Sequence, residues 1–212
     1  MLKTIALALT IAVIAAPAMG QPVPRMGEDE VAGMLGKGAE LEVRLDGDLN
    51  GDGETDTVFI GRSEEKRELT AMLAYRSEVD LGHEPVGLLE LDAYPLGPAE
   101  ISIRKGVLTI EDLTGGTTAL AATYRYRYDP KAGRMRLIGL DAKYYSRTNS
   151  HGWRELSWNL LTGDQTISEA DLATGGGDEA YGPARIHKLK RSSKPLYMED
   201  TPDPEEALNT AK

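Results

Sequence analysis

The chain has 212 residues, 41% hydrophobic and 27% charged, which supports one ordinary core and excludes the collagen-like and wholly disordered classes. It holds no cysteine, which removes disulfides, thiolate catalysis, cysteine-ligated zinc and lipid attachment through an N-terminal Cys. Thirty-four acidic residues against 24 basic ones give a formal charge of −10, a balance that argues against nucleic acid as partner and suits divalent cations.

Residues 1–20 read as a signal peptide. Lys3 supplies the positive end, 5–16 is an uncharged apolar run, and Ala18-Met19-Gly20 places small residues at a cleavage site. The run is shorter than the roughly 20 residues that span a bilayer, and Pro17 breaks its end. Losing Lys3 with the leader leaves 23 basic against 34 acidic residues, a formal −11. The expected product is periplasmic or secreted, with no transmembrane segment.

Residues 21–39 read as a loose lead-in with one short helix at most, over 28–35. From 41 the apolar period changes to two. Strands are expected at 41–45, 57–60, 69–75, 86–91 and 99–103, with Pro95 and Pro98 interrupting the last two. Four more follow at 107–111, 120–128, 134–145 and 153–161. They are joined by Gly115-Gly116, Asp129-Pro130-Lys131-Ala132-Gly133 and Thr148-Asn149-Ser150-His151-Gly152. With no long helical pattern between them, parallel crossovers are not expected. The fold class is mainly β: an antiparallel meander sheet, or a half-open barrel or sandwich, with at most a short N-terminal helix. The β-rich domain is placed at 40–196. The glycine-rich run 174–179 reads as a flexible loop, and 197–212, acidic with Pro202 and Pro204, as a disordered tail.

The densest chemistry is Asp46-Gly47-Asp48-Leu49-Asn50-Gly51-Asp52-Gly53-Glu54-Thr55-Asp56, between two expected strands. With Asp48 at position one, Asn50, Asp52, Glu54 and Asp56 fall at three, five, seven and nine, and Gly53 at the turn. This is the order in which an EF-hand-type loop presents oxygen to calcium. Glu54 would offer its backbone carbonyl. Position twelve is Phe59 rather than a bidentate Glu, and residues 57–60 suit a strand, so an ordinary helix-loop-helix hand is not expected. A second register starts at Asp46, with Gly51 at the turn. Four aspartates so close repel one another without a counterion. Magnesium demands tighter octahedral geometry, and no His or Cys cluster suggests zinc or iron.

Residues 47–58 resemble the calcium loop of FG-GAP and VCBS repeats, in which an aspartate-rich hairpin precedes a strand. The chain is also similar to exported bacterial proteins of unassigned function with one such loop ahead of a β-rich region. The Tyr-Arg-Tyr-Asp-Pro, Arg-Leu-Ile-Gly and Asn-Leu-Leu-Thr-Gly segments at 126–130, 136–139 and 159–163 carry that likeness. FG-GAP and VCBS domains build propellers from several repeats. Here one loop and no second copy is found, so a full propeller is not expected.

Catalytic readings gather no mutually supporting set. His83, His151 and His187 are scattered, and no nucleophile elbow or metalloprotease helix occurs. Two functions are carried forward. One is a non-catalytic, calcium-stabilised β-module of the bacterial envelope, Ca2+ being mainly structural. The other is an envelope carbohydrate-binding domain or glycan hydrolase using Tyr124, Tyr126, Tyr128, Trp153 and Glu155. The tyrosine row reads first as a half-buried core edge and second as a sugar-stacking surface. Envelope glycan or protein are the partners considered beside the ion.

Overall fold

Alternating apolar residues after position 40 produce two antiparallel sheets. The computed structural model describes residues 22–174, 180–191 and 194–211. The leader read in 1–20 and the glycine run 175–177 lie outside the described residues. The small sheet holds β1 (Glu40–Gly47), β2 (Asp56–Arg62), β3 (Arg67–Arg76) and β4 (Leu81–Leu91) in chain order. The large sheet holds β5 (Glu100–Arg104), β6 (Val107–Gly115), β7 (Thr118–Asp129), β8 (Arg134–Ser146), β9 (Trp153–Asn159), β10 (Asp164–Ala170) and β11 (Arg185–Lys190), also in chain order. The chain is therefore mainly β, built from two meanders with no closed barrel. Among the described residues, no helix is long and apolar enough to cross a membrane.

The inner faces of the sheets share one core. Val58, Ile60 and Leu69 from the small sheet cluster with Leu108, Tyr126, Leu140 and Trp158 from the large one. The lead-in covers the opposite face of the small sheet. Its helix α1 (Glu28–Met34) and the turn before it bring Val31 and Met26 onto Phe59 and Met72. This explains why residues 56–60 of β2 are buried on both faces: alternate side chains enter alternate cores. Burying Phe59 in this second core stabilises by about 2 kcal/mol. The lead-in is thus docked, not loose, and the apolar residues at Val23, Met26 and Val31 are the reason.

Three further differences from the expected elements have local causes. β4 begins at Leu81 and runs through Pro85, which a ladder tolerates because β4 is an edge strand and its register shifts opposite Ala71 and Met72. Strands β10 and β11 extend the large sheet beyond residue 161. The segment read as a disordered tail is folded: a 3-10 turn at Met198–Asp200 leads to helix α2 (Pro204–Thr210), capped by Asp203, whose carboxylate accepts the Glu206 amide at 2.8 Å. Met198, Ala207, Leu208 and Ala211 are buried in the shared core. The Thr201 hydroxyl meets Tyr126 Oη at 2.8 Å, and Arg154 donates to the Ala211 carbonyl at 2.8 Å. Acidic composition suggested disorder, but four apolar anchors outweigh it.

A charged clamp ties the sheets together. Arg67 on β3 is fully buried and donates through Nε and Nη2 to the two oxygens of Glu42 on β1, both at 2.7 Å. Its Nη1 donates to both oxygens of Asp112 on β6 at 2.9 Å. Arg67 and Glu42 belong to the small sheet and Asp112 to the large one, so the guanidinium fixes their mutual position.

Candidate metal centre

The hairpin between β1 and β2 carries the acidic loop, and its backbone is shaped by its own side chains. The Asp48 carboxylate accepts the Gly51 amide at 2.6 Å through Oδ1 and the Gly53 amide at 3.1 Å through Oδ2. Asn50 Oδ1 accepts the Asp52 amide at 3.0 Å, and Asp52 Oδ1 accepts the Glu54 amide at 2.8 Å. Asn50 and Asp52 each close a turn onto the amide two residues on, and Asp48 accepts amides three and five residues on, so the chain coils around the aspartate oxygens. Gly51 and Gly53 have φ of +85° and +84°, the left-handed conformation that only glycine adopts at little cost.

Asp56 closes the loop from below. It is fully buried, with Oδ2 accepting the Leu49 amide at 2.6 Å and Oδ1 accepting the Ala74 amide of β3 at 2.9 Å. Burial pushes its carboxyl up to about 6 against the pull of those two amides, and the charges of Asp52 and Asp48 add to the rise. An acid raised by burial, with neighbouring acids adding to the rise, is a group that a cation would relieve.

Glu54 and Asp46 take other roles. The Glu54 side chain turns to the Val23 amide at 2.8 Å and to Arg76 at 2.9 Å, tying the lead-in to the loop and holding its carboxyl below the usual range. Only its backbone carbonyl is left for the centre of the loop. Asp46 lies within β1, where Arg44, Arg25 and Thr57 hold its carboxylate; their hydrogen bonds outweigh burial and keep it low. The structure thus brings Asp48, Asn50 and Asp52 around one turn with Asp56 beneath, and places Asp46 apart.

The donor set fits a hard cation: three carboxylates, one side-chain amide and a peptide carbonyl, all oxygen. Among the described residues, no three acidic or imidazole side chains stand close enough to form a cage by themselves. An ion held here would have to draw on the neutral Asn50 and Glu54 carbonyl oxygens as well. A bound calcium would supply positive charge at the point where Asp48, Asp52 and Asp56 repel.

The aromatic surface takes a different form from the carbohydrate reading. Tyr124 and Tyr126 are buried between the sheets, 5% and 0% exposed, and Tyr128 is half-buried. In register, Tyr124 aligns with Leu140 and Trp158 on the inner face, whereas Glu155 aligns with Lys143 on the outer face. There Lys143 pairs with Glu155 at 3.3 Å and lies over the Trp153 ring. The two halves of the supposed sugar surface lie on opposite sides of one sheet. The histidines are equally dispersed: His83 meets Glu30 of α1 at 2.9 Å, His151 stacks on Tyr144, and His187 lies on β11.

Comparison of the chain with protein-family models, curated proteins and solved structures finds no match. The likeness to FG-GAP and VCBS loops accordingly rests on the residues of the loop.

Proposed function

We propose that the chain is an exported, non-catalytic calcium-binding module of the bacterial envelope, in which the ion fixes the β1–β2 hairpin and the lead-in against it. The carrying observation is the set of turns closed by Asp48, Asn50 and Asp52 around Gly51 and Gly53, over an Asp56 whose carboxyl is raised chiefly by burial and further by its acidic neighbours. The register beginning at Asp48 is the one this arrangement supports. Export is supported by the leader pattern in 1–20. The role assigned to the ion is structural, because the loop connects through Glu54 to Val23 and through Asp56 to β3.

Calorimetric titration of the mature chain with calcium, after chelator treatment, tests this directly. One saturable site and a melting temperature that falls in chelator are expected. The absence of both would remove the reading. Magnesium should bind much more weakly than calcium.

A further inference from the structure

A second feature lies away from the loop. A cavity of about 340 Å³ opens between the end of β4, the inner face of β6 and β7, and the rim formed by residues 201–204. Its volume is in the range of small-molecule sites. Asp112 and Tyr124 lie on its floor; Asp92 and Asp203 stand exposed at its mouth. Leu91, Leu120 and Pro202 supply apolar wall.

The Tyr124 hydroxyl is the informative group. The side chain is more than nine-tenths buried, and among the described residues its Oη has no hydrogen-bond partner. The ring is packed in the core while the oxygen itself stays accessible, at a residue that lines the cavity. Tyr124 itself lines the cavity together with the acids nearest it, Asp112, Asp203 and Asp92, while the neighbouring Arg67 lies outside the lining. Burial raises this phenol further above its ordinary value, which keeps it neutral and able to accept or donate.

The charge is one-sided. Among the described residues no Lys or Arg lines the cavity, and the nearby Arg67 is committed to Glu42 and Asp112, two acids against one base. The acids are spread from mouth to floor, and no three of them stand close enough to hold one metal ion. Separated carboxylates, an apolar wall and an unpartnered hydroxyl suit an elongated organic cation better than a compact inorganic one.

We propose that this cavity binds a small organic ammonium ion with a short aliphatic body, one ammonium group reaching Tyr124 and Asp112 and the mouth acids holding the outer end. The probe is 1,5-diaminopentane, titrated calorimetrically into the mature chain at low ionic strength, with and without calcium. Three variants keep the local structure intact. Tyr124→Phe removes a hydroxyl that bonds nothing. Asp203→Asn keeps an oxygen for the Glu206 amide, and Asp92→Asn keeps one for the Tyr94 amide.

Saturable binding is expected, weakened about tenfold by Asp203→Asn and by at least about threefold by Tyr124→Phe. The Asp92→Asn and Asp203→Asn pair together should abolish it. Chelator should leave it unchanged, which separates it from the calcium loop. The proposal is overturned if the diamine does not bind, if folded variants bind it as the wild type does, or if 1-pentanol or magnesium occupies the site equally well.

Discussion

Replacing Arg67 by Met leaves Glu42 and Asp112 facing each other with no cation between them. The arginine side chain is fully buried, and its two partners are 5% and 3% exposed. What remains is the Ala99 amide on Glu42, at 3.0 Å, and the Leu113 amide on Asp112. Removing one partner from such a buried group costs about 4 kcal/mol, or roughly 10 °C in melting temperature for a chain of this size. The pH dependence gives the sharper test. In the wild type, burial works against the Glu42 charge, but hydrogen bonds from Arg67 and Ala99 prevail and hold its carboxyl below the ordinary value of 4.5. Its contribution to stability is therefore complete above pH 4.5 and is lost only as pH falls through the lowered value. At Asp112 burial already prevails with Arg67 in place and holds its carboxyl above the ordinary value; without Arg67 burial dominates at both acids, so acidification relieves the variant well before it harms the wild type. Urea unfolding at pH 7.5 and 5.0 should show the cost shrinking to about 2 kcal/mol, the share left for lost hydrogen bonds. Replacing Glu42, Arg67 and Asp112 together by Met, Met and Leu should recover most of the loss. A cost under about 1 kcal/mol at pH 7.5, or the same cost at both pH values, would refute the clamp as described.

Asp48→Ala and Asp52→Ala should each remove most of the calcium response. Saturation at a hundred times Kd stabilises the wild type by about 2.7 kcal/mol, roughly 5 to 10 °C in a thermal melt, and chelator should cancel it. Because burial pushes Asp56 up to about 6, protons compete with the ion. Calcium affinity should fall about tenfold between pH 7 and pH 5 by calorimetry, while in chelator this group makes the fold more stable over the same interval, its folded value lying above the ordinary 3.8. Gly87→Ala should undock the tail, since a Cβ there would lie 2.7 Å from Met198 Sδ and 3.1 Å from Met135 Cβ. The expected cost is about 1–3 kcal/mol, with faster tryptic release of the C-terminal segment seen by mass spectrometry; a wild-type digestion pattern would argue otherwise.

The strand ladder and its hairpins were largely legible because they are written in neighbouring residues. Gly115-Gly116 and the Asp129 to Gly133 run carry turn chemistry, and Tyr124, Tyr126 and Tyr128 alternate with arginines. The hairpin that carries the acidic loop was legible for the same reason, its strands and turn being neighbours in sequence. What the pattern did not reveal depends on distant partners. Arg67 looks like an ordinary strand-end charge, yet its partners are 25 and 45 residues away. Glu54 fits a ligand position, but Val23, 31 residues earlier, and Arg76 claim its side chain. The tail has an acidic, proline-bearing sequence, and its anchoring by Met198 and Leu208 needs a core that exists only after the sheets have formed. One local signal was available there: Asp203 followed by Pro204 is a helix-start pattern.

Both meanders run in chain order, and this bears on how the molecule assembles. Within each sheet every strand after the first pairs with the strand synthesised just before it, so every ladder can zip up as soon as its second half emerges, without waiting for a remote segment. Prominent long-range commitments are the Asp112 grip on Arg67 and the docking of the C-terminal segment, where Thr201 meets Tyr126, 75 residues apart, and Ala211 accepts from Arg154. Assembly should therefore progress as a relay of hairpins, closed first by the clamp and then by the C-terminal segment as the latch.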